Sequence, residues 1–278
     1  MSPSPRRLRL DDIPACLDLA INRGWLPEEP RWKMLLSCGE GWAIEDPNGS
    51  LSAVVLLTRF PPDLAVIGMM LVRENRSRQG LGRQLMEHVL VRAHPATVFL
   101  YATEMGRPLY EKLGFVPVDA VARHLGNWTS PAREPAPQVR AMAAQDMNTV
   151  LALDRRAFGA DRSDLLIPLV NIAACALVLE RNGAIDAFGL AWQNVGRMQL
   201  GPIVAPDQEA ARALIDALAR GHEVPVRVDL QVGQAELTSW AREHGLTAHP
   251  PTPLMVLGGK DLPGERSRLI AVATLATG

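Results

Sequence analysis

Two stretches of this chain present the same order of turn signals and apolar segments at a nearly constant distance in sequence. An Asn-Gly pair between two apolar runs stands at Asn48-Gly49 and again at Asn182-Gly183, 134 positions on (182 minus 48). Such a pair is a strong hairpin signal, because both residues tolerate a positive φ. The valines that end the next apolar strand, Val72 and Val204, are 132 apart, and the glycines that end a later short helix, Gly114 and Gly245, are 131 apart. Three landmarks in step imply a duplicated unit, which confines the fold to one that about half the chain can build twice.

Each copy opens on an amphipathic segment, from Asp11 in the first and Ala144 in the second, with Asp11 or Asp12 placed to cap the first helix. A hairpin is expected over residues 41–45 and 51–58, and its counterpart over 176–181 and 184–192. A strand over 64–72 or 198–204 then leads into a helix, another strand and a short helix. This order predicts in each half a mixed sheet with helices on both faces, an α+β domain. The segment TSPAREPAPQ, residues 129–138, marks the boundary, because Pro131, Pro135 and Pro137 remove backbone donors and favour an extended course. The expected division is a domain over 1–130, a Pro-rich linker over 131–138 and a domain over 139–278, each burying its own core.

A formal net charge of −1 supplies no general field for nucleic acid or an anionic membrane, so an anion site has to come from local basic residues. Cys16, Cys38 and Cys175 are odd in number and widely spaced, which argues against a disulfide framework and a zinc site. They read as reduced, buried thiols, and no metal is expected. The basic start lacks the apolar run of a secretory signal, and the apolar stretch 165–179 is broken by Pro168 and Asn171. A cytoplasmic location without membrane attachment is expected.

The chemistry concentrates in residues 72–86, Val-Arg-Glu-Asn-Arg-Ser-Arg-Gln-Gly-Leu-Gly-Arg-Gln-Leu-Met. A strand ends, a turn bearing Gly80 and Gly82 follows, and a helix begins with Leu85, Met86, Val89 and Leu90 on one face. Such a helix start exposes unpaired backbone N–H groups and the positive end of its dipole, and glycine lets an anion approach them closely. Arg73, Arg76, Arg78 and Arg83 add cationic donors suited to phosphate. Two glycines at a helix start also occur without any ligand. No Gly-Lys-Ser/Thr follows, which excludes a P-loop, and Leu85 stands where a dinucleotide fingerprint needs its third glycine.

Residues 72–86 resemble motif A of the GCN5-related N-acetyltransferases, and Ala102-Thr-Glu-Met-Gly-Arg-Pro-Leu-Tyr-Glu-Lys-Leu-Gly-Phe115 resembles the motif that closes their acyl-CoA site. The resemblance spans roughly residues 5–128, and through the repeat the second half resembles another such domain, as in tandem members. It implies two domains, each a mixed, mostly antiparallel twisted sheet flanked by helices. It also implies acetyl-CoA as co-substrate and transfer of an acetyl or short acyl group to a primary amine, on a small molecule or a protein. Arg78, Gln79, Gly80, Leu81, Gly82 and Arg83 would hold the CoA pyrophosphate, with Met70, Leu71, Val72 and Thr103 along the rest of the cofactor. Ser77 departs from the family's usual Arg or Gln, and Arg76 and Arg78 are its neighbours.

Acyl transfer to an amine needs a neutral nucleophile, donors for the oxyanion and a proton for the departing thiolate. By the same resemblance a backbone N–H of Met70 or Leu71 would face the oxyanion, and Tyr110 would protonate the thiolate; the plain alternative for Tyr110 is a core ring. The strand 64–72 offers no carboxylate or histidine as base, which leaves Glu104, Glu45, Asp46 or a water relay, with His88 and His94 read as structural or exposed. Trp25 and Trp32 would wall the acceptor site, Glu28 or Glu29 attracting the amine, or would simply close the core. In the second half Glu209 and Ala211 stand where Gly80 and Gly82 do, and Ala241 where Tyr110 does, so that copy reads as degenerate. A non-catalytic acyl-CoA sensor is the rival, and a homodimer is left open.

Overall fold

The structure, a computed structural model, describes residues 4–131 and 138–278; residues 132–137 of the expected linker lie outside the described residues. The first half holds β1 (Arg6–Arg7), α1 (Ile13–Asn22), α2 (Glu29–Cys38), β2 (Glu40–Glu45), β3 (Leu51–Phe60), β4 (Leu64–Val72), α3 (Leu81–Ala93), β5 (Thr97–Tyr101), α4 (Arg107–Lys112) and β6 (Phe115–Gly126). The second holds β7 (Val139–Ala141), α5 (Met147–Phe158), α6 (Ser163–Ile172), β8 (Cys175–Arg181), β9 (Ala184–Asn194), β10 (Arg197–Val204), α7 (Gln208–Ala219), β11 (Val226–Gln231), α8 (Ala235–Glu243), β12 (Leu246–Ala248), β13 (Thr252–Leu257) and β14 (Leu269–Ala271). The chain forms two compact units, but they are not consecutive halves. Unit 1 takes the chain up to Val118 together with Leu254–Lys260 and Leu275–Thr277, and unit 2 takes Asp119–Pro253, Asp261–Thr274 and Gly278. The exchange arises because the strand that borders β5 is β13, from late in the sequence, a long-range pairing that local periodicity does not encode.

In unit 1 the strands are ordered β1-β2-β3-β4-β5-β13, with every pair antiparallel except β4–β5. From Leu51 to Thr58, β3 is buried at every position, as befits a central strand covered on both faces. Ala53, Val55 and Leu57 share a core with Leu85, Met86 and Val89 of α3, and with Met255 of β13. By strand alternation Val54 and Leu56 point to the opposite face. Asp46 accepts from the Gly49 N–H at 2.9 Å, and Gly49 has φ 83°, closing the expected hairpin. Cys16 is fully enclosed in α1, and burial pushes its thiol up to about 12, which leaves it unreactive.

Unit 2 repeats the plan, with β7, β8, β9 and β10 antiparallel, β10–β11 parallel, and β11 followed by residues 121–126 of β6. Its hairpin turns at Asn182 and Gly183, whose φ values of 53° and 77° are those of a type I′ turn. The duplication reaches a polar device: Arg6 bridges Asp12 and Glu45 in unit 1, and Arg140 bridges Asp146 and Glu180 in unit 2. Both sheets are mixed, mostly antiparallel and flanked by helices, as expected. No helix among the described residues is long and apolar enough to cross a membrane.

Candidate acyl-CoA site

In unit 1, β4 and β5 pair only from Leu64↔Thr97 to Ile67↔Leu100. Just beyond, β4 carries a bulge: Leu56 lies opposite Gly68, Val54 opposite Leu71, and Met69 has φ 49°. A bulge bends the strand that holds it and re-aims the residues that follow. Over residues 68–72 no strand of the described residues pairs with the edge of β4 that had faced β5, so Met70, Leu71 and Val72 border an open gap. The two strands thus form a wedge whose mouth leads to the start of α3.

At that mouth the Arg73 N–H donates to Ser52 O at 2.8 Å, and residues 77–80 are exposed. Arg78 has φ 61° and Gly80 φ 83°, a left-handed conformation that costs glycine little and places it at the helix cap. No side chain caps α3, so its first N–H groups are free to meet an anion. A Cβ on Gly82 would come within 3.3 Å of Leu109 Cδ2 and 3.4 Å of Met70 Cε, so glycine keeps this turn thin between β4 and α4. The four arginines divide into two pairs. Arg73 is held by Leu51 O and Asp18, and Arg76 by Asp46 at 2.6 Å, so both serve the scaffold. Hydrogen bonds from Ser52 and Arg76 hold the Asp46 carboxyl below its ordinary range. Arg78 is exposed, and Arg83 stands 3.5 Å from Glu87 on the surface of α3.

Tyr110 sits on α4 with 6% of its surface exposed, its ring edge-on to Phe115 at 6.1 Å. Burial pushes its phenol up to about 12, so the hydroxyl keeps its proton at neutral pH. It shares the core of Ile67, Leu85 and Ala102, and its hydroxyl would lie 3.0 Å from a Cβ placed on Gly106. Thr103 starts α4: its carbonyl accepts from the Gly106 and Arg107 N–H groups at 3.0 and 2.9 Å, and its Oγ1 also accepts from Gly106 at 3.2 Å. Glu104 and Gln79 are exposed, Leu81 half-buried. Of the other carboxylates considered as base, Glu45 is paired with Arg6 and Asp46 with Arg76, and Glu28, expected to attract the amine, is paired with Arg31. His88 is packed against Trp42 at 4.3 Å, and burial lowers its affinity for a proton. Trp25 lies at the surface between α1 and α2, whereas Trp32 has no accessible surface and touches no acceptor unless α2 moves. Apolar spacing alone does not tell such a core tryptophan from a pocket wall.

The corresponding wedge of unit 2 is filled by the chain itself. β10 and β11 pair up to Leu200↔Val228, the ladder slips at Gly201-Pro202, and β14 then lies between them, Ala271 opposite both Ile203 and Leu230 and Leu269 opposite Val204. At the mouth Asp207 caps α7, accepting from the Ala210 N–H at 2.9 Å while paired with Arg181. Ala241, in place of Tyr110, is buried. The plug comes from the apolar run Leu269-Ile-Ala-Val-Ala273, which is too short to reveal its place from the sequence.

Two acetyltransferase (GNAT) domain models match the chain, one over residues 38–117 and another over 150–271. An uncharacterized N-acetyltransferase of Bacillus subtilis strain 168, YitH, is 29% identical over 278 residues, covering 98% of this chain and 97% of its own length. The crystal structure of a putative acetyltransferase from Pyrococcus horikoshii superposes with a TM-score of 0.84 at 19% identity, over 100% of this chain and 96% of that one. A tandem GNAT protein from the clavulanic acid biosynthesis pathway gives 0.64 at 14% identity, over 93% and 99%. A strand that parts from a parallel neighbour and leads into a helix is thus built twice, with the helix start uncapped in unit 1 and capped by Asp207 in unit 2. The chain belongs to the GNAT acetyltransferase family, as a member with two tandem domains.

Proposed function

We propose that unit 1 binds one molecule of acetyl-CoA and moves its acetyl, or another short acyl group, to a primary amine by direct attack within a ternary complex. The open wedge between β4 and β5, running from the free edge of residues 70–72 to the uncapped start of α3, carries this reading. The pyrophosphate lies on the amides of residues 78–83, with Arg78 and Arg83 as the cationic donors left to it. The pantetheine chain follows the edge of Met70, Leu71 and Val72, so the thioester falls near the bulge, where a backbone N–H of Met70 or Leu71 donates to the oxyanion. Tyr110 donates a hydrogen bond to the departing thiolate and relays a proton to it as the amine gives up its own: a phenol at about 12 stays protonated but is a weaker acid than a thiol whose ordinary pKa is about 8.5, so it does not drive the transfer alone. Glu104, on the turn after β5, is the carboxylate we assign to accept the proton of the amine, directly or through water.

Unit 2 on this reading has no acyl-CoA site, because β14 fills its wedge and Asp207 closes its helix start. Calorimetric titration of acetyl-CoA tests both statements. We expect one site per chain, lost in Gly80→Trp while the melting temperature of that variant shows it folded, and thiol release when an amine is added. Two sites per chain would refute the plugged unit 2, and no binding would refute the whole reading. Binding without thiol release over a broad amine panel would make the chain an acyl-CoA sensor instead.

A further inference from the structure

The last turn of α1 touches the chain on both banks of the gap in unit 1. On the β4 bank, Asp18 pairs with Arg73, and Asn22 Oδ1 accepts from the Glu74 N–H at 2.9 Å. On the β5 bank, the Arg23 guanidinium donates to Sδ of Met105, in the turn between β5 and α4. That turn packs on Tyr110, whose ring would lie 2.8 Å from a Cβ on Gly106. Arg23 thus leans on the neighbour in sequence of the residue that touches Tyr110.

Backbone geometry sets this position. The Gly24 N–H donates to Ile21 O and the Trp25 N–H to Ala20 O, both at 2.9 Å, and Gly24 has φ 70°. These are the two closing bonds of a Schellman motif, which needs a left-handed residue where Gly24 stands. The motif fixes Arg23 as the cap of α1 and sets Trp25 two residues beyond it. The charges presented there are unbalanced. Arg73 and Arg107, on the two banks of the same gap, are each paired with a carboxylate, Asp18 and Glu111. Arg23 has no carboxylate among the described residues, and the thioether it meets is a weak, neutral acceptor. Glu104, beside Met105 in the turn, is exposed and has no cationic partner among the described residues. A cation thus leans on one residue of the turn while an anion stands on the next, and the two are not paired with each other. Trp25, 36% exposed, and Met105, 74% exposed, add apolar surface to the same two segments.

A pair of opposite charges left open in this way suits a ligand that carries both signs. Resting on the acyl-CoA reading above, in which Glu104 takes the proton of the amine, we propose that Arg23 is the specificity-determining residue for the acceptor. The acceptor is an amine that also carries a carboxylate, of the amino-acid class. Its carboxylate replaces Met105 Sδ on the guanidinium, whose parallel N–H groups make a charge-assisted pair with it, while its amine meets Glu104. A plain alkylamine or an amide gains no such pair.

Thiol release from acetyl-CoA tests this on the full chain, with alanine, leucine and phenylalanine each offered as free acid and as amide to wild type, Arg23→Gln and Arg23→Lys. In the wild type the acids should be the better acceptors. The acid-to-amide ratio of kcat/KM should fall about 10- to 100-fold in Arg23→Gln, through KM and not kcat, and Arg23→Lys should restore part of it. Melting temperature and acetyl-CoA affinity should stay the same, whereas a purely structural role for Arg23 would lower the first and leave the ratio alone. A ratio equal in wild type and Arg23→Gln overturns the proposal, as does acetyl-CoA binding without turnover of any of the acids, and both leave the acyl-CoA site standing. Failure of the wild type to bind acetyl-CoA would overturn both readings.

Discussion

Tyr110 and the arginines show how far a residue type alone indicates its role. With its phenol pushed up to about 12, Tyr110 is a weaker acid than a thiol of ordinary pKa about 8.5, so it serves the nascent thiolate as a protonated hydrogen-bond donor and passes a proton only in step with the one released by the amine. Tyr110→Phe should therefore lower kcat for thiol release by about a hundredfold and leave acetyl-CoA affinity nearly unchanged. The wild-type pH–rate profile should show no alkaline fall below about pH 10 that Tyr110→Phe removes, since the group titrates above that range. The arginines divide in the same assay. Loss of Arg78 or Arg83 should weaken binding of the charged CoA in a salt-dependent way, whereas loss of Arg73 or Arg76 should act mainly through the melting temperature. Gly80 and Gly82 were legible in the sequence because glycine suits the backbone at φ 83° in the one and the close approach of Leu109 and Met70 in the other. Arg73 and Arg76 were not, because the carboxylates that claim them, Asp18 and Asp46, are 55 and 30 positions away.

At the scale of elements, the hairpins, the bulged strands and both long helices after them followed from periodicity and turn chemistry, but pairing partners did not. Three residues, Leu269–Ala271, decide whether the second wedge is a site or a plug, and so short a run has no period from which to infer its place. The repeated ion clusters are equally hidden, as Arg6 joins Asp12 and Glu45 across the opening strand and hairpin. They carry a pH signature. Arg6 holds the Asp12 carboxyl below its ordinary 3.8, and Arg140 lowers Asp146 in the same way. A carboxyl whose pKa is depressed in the folded chain stabilises it above the unfolded value and loses that contribution as pH falls through the folded one. The contribution of these two carboxyls should be constant above about pH 5 and be lost below about pH 4, so Asp12→Asn with Asp146→Asn should reduce that part of the acid limb in urea melts at a series of pH values, leaving the earlier loss below about pH 6.5 from the half-buried His88 and the buried His124 unchanged. The plug gives a second expectation. Asp207→Ala with Glu209→Gly removes a cap, lowering stability by about 1 kcal/mol, yet the stoichiometry of acetyl-CoA stays at one because β14 still fills the wedge.

For the molecule as a whole, duplication and interleaving act together. A tandem repeat read from sequence suggests two beads separable at the proline-rich segment, each with a core of its own. The compact units draw on non-consecutive segments: unit 1 includes Leu254–Lys260 and Leu275–Thr277, and the sheet of unit 2 is bordered by residues 121–126 of β6. Met255 is completely buried in the core that also holds Tyr110 and Leu85, and its strand supplies the partners of Phe99, Leu100 and Tyr101. A fragment of residues 1–130 would expose that edge of β5 to other chains and leave a hole where Met255 packs, a loss of about 2–5 kcal/mol for the one side chain alone. Against a total stability of about 5–15 kcal/mol for an ordinary domain, this one side chain takes a large share before the lost pairing of β13 with β5 is counted. We expect the fragment to be insoluble or to lack near-ultraviolet circular dichroism, and the full chain to unfold in one transition. Met255→Ala should lower its midpoint without splitting it. A soluble fragment 1–130 that binds acetyl-CoA would show that the strand exchange is dispensable, and the first half would then be a complete domain whose late strand is only a cover.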